Sequence, residues 1–170
     1  MTSALNQLQR FLASFARRAA IAAVGIGATI LSACAVAPLQ EMSDARQALQ
    51  SARDIGAEKY APQQLNAAAA DLSDAERLLG EGEGQYSAAR SKALASKQAA
   101  ITARELSMAL SRAKQSLTQA GASGLDTARW QSELDAALAD AENGKSDEAL
   151  KKARSLTESI DTAIAGASTR

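Results

Sequence analysis

The chain has 170 residues, with 19 basic and 19 acidic side chains and no histidine. Lacking histidine, it lacks the commonest general base and the commonest transition-metal ligand; its single cysteine excludes an intramolecular disulfide and any zinc site built on cysteine and histidine. Aromatic residues make up only 3%, so a core must be assembled from Ala and Leu.

Residues 1–33 read as a cleavable signal peptide of the lipoprotein type. A basic segment ends at Arg17-Arg18, and the uncharged apolar stretch from Ala19 to Ile30 is shorter than the roughly 20 residues that span a bilayer as a helix. Leu31-Ser32-Ala33-Cys34 follows directly and resembles the bacterial lipobox, with cleavage expected between Ala33 and Cys34. Small residues suit a peptidase that seats an extended chain, and the Cys34 thiol can form a thioether to a diacylglyceryl group. Ala35 stands where, in the lipoprotein pattern, aspartate would signal retention in the inner membrane. The expected location is therefore the outer membrane, periplasmic side, with the lipid on Cys34 as the membrane contact. Losing the leader removes Arg10, Arg17 and Arg18 and no acidic residue, so the mature chain is net negative by about three. Its charges are interspersed, and nucleic acid is not an expected partner.

Residues 34–40, with Pro38, read as a lipid-anchored tether. Met42, Ala45, Leu49 and Ala52 then form a first helical stripe ending near Ile55-Gly56. Leu65, Ala68, Leu72, Ala75 and Leu79 form a second, which Pro62 opens and the Gly80 to Gly84 segment closes. From Gln85 to Ala120 there is neither Gly nor Pro, and Ala99, Ala103, Leu106, Leu110, Ala113 and Leu117 keep one seam, predicting a single helix about 54 Å long. After Gly121-Ala122-Ser123-Gly124, Asp126 is placed to cap a fourth helix with Trp130, Leu134, Ala137 or Leu138, and Ala141 on its inner face. Asn143-Gly144 ends it. Ser146 is placed to cap a fifth helix with Ala149, Ala153, Leu156, Ile160 and Ala163 on one face, fraying after Gly166.

No segment alternates with period two, so the fold class is all-α. The expected architecture is a set of elongated, alanine-rich antiparallel helix hairpins or a small helical bundle behind a lipidated N-terminus. The domains read as 41–120, a first helical hairpin module, and 121–170, a second C-terminal helix hairpin.

Tyr60-Ala61-Pro62 with Leu65, then Asp74-Ala75-Glu76, the glycine turn and Tyr86-Ser87-Ala88-Ala89-Arg90, resemble domain-of-unknown-function family 4398, a group of helical bacterial envelope lipoproteins. The resemblance covers approximately Gln40 to Leu106. It implies an envelope location and helix hairpins, and in some relatives an OmpA-like peptidoglycan-binding domain. Here residues 107–170 continue instead as Ala-rich helix.

No catalytic constellation, cofactor motif or metal-ligand set emerges. The Gly80 to Gly84 loop lies between helices, lacks a following lysine-serine pair and carries two glutamates, so it reads as a turn and not as a phosphate cradle. Narrow Ala/Leu seams leave helix faces free, which points to a structural or protein-interaction role through an envelope protein partner or self-association. Leu110, Leu117 and Trp130 are the candidate partner-facing residues. The alternative is a carrier of a small apolar or lipid ligand, which would need a cavity between the helices.

Overall fold

A computed structural model describes residues 36–168, and these fall within one compact unit. The segment expected to be a signal peptide and the lipobox-like residues Leu31, Ser32, Ala33 and Cys34 lie outside the described residues. Among those described there are six α-helices and no strand, so the protein is all-α. They are α1 (Leu39–Asp54), α2 (Ala57–Tyr60), α3 (Pro62–Gly80), α4 (Tyr86–Ala122), α5 (Ala128–Glu142) and α6 (Ser146–Ser168), with a short 3₁₀ turn at Glu83–Gln85.

The single turn α2 is absent from the sequence reading, because four residues carry no periodicity. Gly56 allows it: with φ +80° it closes α1 through an N–H bond to the Arg53 carbonyl and lets the chain re-enter a helix at once. Pro62 occupies the first turn of α3, where a missing N–H is harmless. The N-cap of α5 is Thr127, one residue after the expected Asp126, whose Oδ1 accepts the Ala128 N–H at 3.0 Å from just outside the helix, and Ser146, expected to cap the last helix, is itself the first residue of α6. Helix α6 continues to Ser168, past the fraying expected after Gly166.

Helix α4 is the common axis. Lys97 pairs with Asp44 and Arg90 with Glu41, so α1 runs parallel to it. Lys92 pairs with Asp71 and Ser96 bonds the Ala68 carbonyl, so α3 runs antiparallel to it. Beyond its middle, Arg154 meets Glu105 and Asp161 meets Arg112 and Ser116, placing α6 parallel to α4, while α5 returns between them. Two three-helix arrangements thus share one long helix, and the segments 41–120 and 121–170 share one core. At the junction Gln63 Nε2 donates to the Glu142 carbonyl and Gln64 Nε2 to Ser146 Oγ, tying the start of α3 to the α5–α6 turn.

The α4 sequence shows how one helix serves both halves. Its buried residues are Ala89, Ala93, Ser96, Ala100, Ala103, Leu106, Ser107, Leu110, Ala113, Ser116, Leu117 and Ala120. The first five follow a 4,3 seam toward α1 and α3; Leu106, Leu110, Ala113, Leu117 and Ala120 follow another toward α5 and α6. The seams join by consecutive three-residue steps, Ala100 to Ala103 to Leu106. Each such step falls about 60° short of a full turn, which swings the buried face around the helix.

Of the 26 buried hydrophobic residues among those described, 16 are alanine. Such seams let helix axes approach to the short end of the roughly 8–10 Å range, and each contact buries little apolar area. Met42, Leu106, Leu110 and Ile160 are the largest apolar side chains that are fully enclosed. Leu110→Ala is expected to cost about 2–5 kcal/mol. Ala100→Leu, which forces bulk into a narrow seam, is expected to cost about 1–3 kcal/mol. Met108→Ala, on the exposed side of the same helix, should stay within about 0.5 kcal/mol. Urea denaturation of the three variants checks the order.

Candidate interaction surfaces and the start of the bundle

Leu110 and Leu117, expected to face a partner, do not. Leu110 is fully buried and Leu117 is 8% exposed, both enclosed by the chain's own second three-helix arrangement. The physical reason is that α5 and α6 fold back along the C-terminal half of α4 and occupy its seam. Trp130 is half-buried and packs against the same core from α5.

The exposed apolar side chains lie elsewhere. Leu94 and Met108 on α4 and Ile55 at the end of α1 are exposed, and Leu94, half-buried Ile101 and Met108 recur every seven residues on the arc of α4 that neither seam uses. Ile55, Met108 and Ala109 line a shallow groove of about 540 Å³ whose polar rim includes Glu105, Arg112 and Arg154. A second groove of about 520 Å³ runs between α2, α4 and α5. Tyr60, Leu117, Leu134 and Leu138 line it, together with Lys59, Lys114 and Glu142.

The first described residues are fastened to the bundle. Pro38 is buried, Arg90 Nη2 donates to the Val36 carbonyl at 3.2 Å, and Arg90 Nε meets Glu41 Oε1 at 2.7 Å. Arg90 therefore clasps the stretch read from sequence as a tether, which is bound to α4 from Val36 onward. Sequence periodicity could not reveal this, because the clasp joins residues 54 apart through a single side chain. On either side of Pro38, Val36 and Leu39 are left 68% and 65% exposed.

The charged groups of the bundle pair with one another across and along its helices. Lys97 hydrogen-bonds Asp44 and, with Gln40, holds its carboxyl below the usual aspartate range. Lys92 does the same to Asp74, while Asp71 and Asp74 hold the Lys92 ammonium above its ordinary value. Lys152 lowers Asp140, reaching its Oδ2 at 2.5 Å across the α5–α6 hairpin. Glu41 is lowered by its own backbone N–H and then by Arg90, against the cost of desolvation. Among the described residues no group of three or more His, Cys, Asp or Glu is placed to hold a metal ion, and no helix is long and apolar enough to cross a membrane.

The geometry defines an all-α bundle organised on one shared helix. Residues 40–120 match the family described as Domain of unknown function (DUF4398), and over that segment the chain belongs to the family. The match takes in almost all of α1 to α4, reaching beyond Leu106 where the sequence resemblance ends. No curated protein and no solved structure is similar enough to match.

The shifted groups set a pH dependence. Glu41, Asp44, Asp74 and Asp140 have folded values below their unfolded ones, so their stabilisation is complete above the ordinary carboxylate range and is lost as pH falls through the depressed values. Lys92 is raised, so its contribution is complete below its ordinary value of 10.5 and is lost at higher pH. The melting temperature is expected to be level between about pH 5 and 10 and to fall below about pH 4. Because these pairs are solvent-accessible, 1 M salt should shrink the acid-side drop. A melting temperature unchanged down to about pH 2 would contradict the ion-pair account.

Proposed function

We propose that the chain is a cell-envelope lipoprotein, attached to the outer membrane on its periplasmic side through lipid on Cys34. On this reading it acts without catalytic activity as a structural or protein-interaction module. The observation that carries this reading is Leu31-Ser32-Ala33-Cys34, placed directly after a short apolar stretch and a basic segment. Two or more acyl chains, at about 0.8 kcal/mol per buried methylene, anchor a protein lastingly. The fold supports an interaction role: Leu94 and Met108 are exposed on one side of α4, and Ile55, at the end of α1, lines a groove with Met108, over an otherwise thin alanine core.

A carrier of a small apolar ligand remains the second reading, favoured by the groove of Tyr60, Leu117, Leu134 and Leu138. Calorimetric titration with a long-chain fatty acid separates the two, since a module that works through its α4 face gives no heat of binding.

Replacing Cys34 with Ser should abolish metabolic labelling by palmitate and leave precursor or a soluble species; equal labelling removes the lipoprotein reading. Leu94→Asp with Met108→Asp should leave the melting temperature within a few degrees of wild type, because both positions are exposed. The same pair should change the pattern of envelope crosslinks, and an unchanged pattern rules out this face.

A further inference from the structure

We propose that Val36 and Leu39 form a lipid-contacting tip, so that the membrane holds this end of the bundle and α4 projects its other end away from the surface. The proposal rests on the reading of Cys34 as the lipidated residue and adds to it an orientation and a contact surface.

The clasp carries the argument. From Val36 onward the backbone is fixed to the bundle: Arg90 binds the Val36 carbonyl, Pro38 is buried, and the Met42 N–H bonds the Pro38 carbonyl at 3.0 Å. Cys34 stands two residues before Val36. A chain extends at most about 3.6 Å per residue, so acyl chains on Cys34 start within about 7 Å of the clasped backbone. A flexible tether would let the bundle tumble; this one is too short to do so. Two apolar side chains are exposed within that reach, Val36 at 68% and Leu39 at 65%, flanking the buried proline.

Charge selects the kind of surface. The same end carries the pairs Arg90–Glu41 and Arg77–Glu81 together with the further carboxylate of Glu83, giving no excess of cations. Attraction to an anionic leaflet cannot hold the tip, whereas two aliphatic side chains inserting at the headgroup boundary can. The favoured partner is therefore a zwitterionic lipid surface. Because α1 runs parallel to α4, the tip lies at the start of α4, and the connection near Ser123 lies at its opposite end. A helix of 37 residues separates them by roughly 55 Å.

The experiment uses the full chain, processed in a Gram-negative host and reconstituted into phosphatidylcholine vesicles. The thioether blocks Cys34, so a nitroxide attaches only to an introduced thiol, in one sample at Leu39→Cys and in another at Ser123→Cys. Both positions are solvent-exposed, and neither substitution disturbs the core. The expected result is a ratio of oxygen to nickel-chelate accessibility at position 39 that is several-fold higher than at position 123. Vesicles with half phosphatidylglycerol should not raise that ratio. Palmitate labelling of the same samples separates the two claims. Label present with water-like accessibility at both positions overturns the orientation alone, and so does a contrast that appears only on anionic vesicles. Absence of label overturns the lipidated reading and the orientation together.

Discussion

Everything in this fold depends on α4 remaining unbroken across both halves. A helix of 37 residues without an internal proline presents about ten turns of surface, and each flanking pair of helices uses only half of its length. Neither pair could bury its apolar stripe alone. Helices α1 and α3 would expose Met42, Leu49, Leu65 and Leu72, and α5 and α6 would expose Leu134, Leu156 and Ile160. Continuity of α4 therefore couples two thin cores into one structure, and the enclosed pair Leu106 and Leu110 sits where they meet. A break at this point would separate the halves at their best-packed level.

Alanine makes the arrangement close and also makes it weakly specified. A seam of alanines accepts neighbouring registers at little cost, since one methyl resembles the next. Register must then come from groups that discriminate. The ion pairs Lys97–Asp44, Lys92–Asp71, Arg46–Glu76 and Lys152–Asp140 each join different helices at one level, and a slip by one turn separates all of them. Individually such exposed pairs contribute little, typically under about 1 kcal/mol. Collectively they distinguish one alignment from its neighbours, as does the Ser96 bond to the Ala68 carbonyl inside the seam.

The sequence made the helices legible because leucine and alanine recur at helical spacing in every segment. Met42, Ala45, Leu49 and Ala52 are all buried as their stripe predicts, and Leu65, Ala68, Leu72 and Ala75 likewise. What periodicity cannot state is which neighbour covers a stripe. Leu110 and Leu117 were legible as seam residues and misassigned to a partner, since a 3,4 pattern looks alike whether the covering helix is in the same chain or another. The first α4 seam, Ala89, Ala93, Ser96 and Ala100, escaped because small residues give almost no hydrophobic contrast against an alanine-rich background. Arg90 escaped for another reason. Its role comes from a long side chain reaching two positions of α1 and its approach, a tertiary fact with no local signature. The proposed lipobox is the opposite case, a signal that would be carried by adjacent residues and readable without any fold.

The two seams of α4 also explain where the free surface lies. A helix buried along one unchanging stripe would expose the opposite half along its full length. Here the buried face turns midway, so the arc left uncovered by α1 and α3 is partly reclaimed by α6 farther along. What remains is a strip of α4 that carries Leu94, Ile101 and Met108, with Ile55 beside Met108 at the end of α1. Leu94, Ile101 and Met108 sit seven residues apart, the spacing that a seam needs, yet among the described residues Leu94 and Met108 stay exposed. The same three-residue steps that admit the second pair of helices therefore define the one stretch of α4 with seam-like spacing and exposed apolar side chains. Organisation of the core and availability of an interaction face have a common origin in the Ala100 to Leu106 segment.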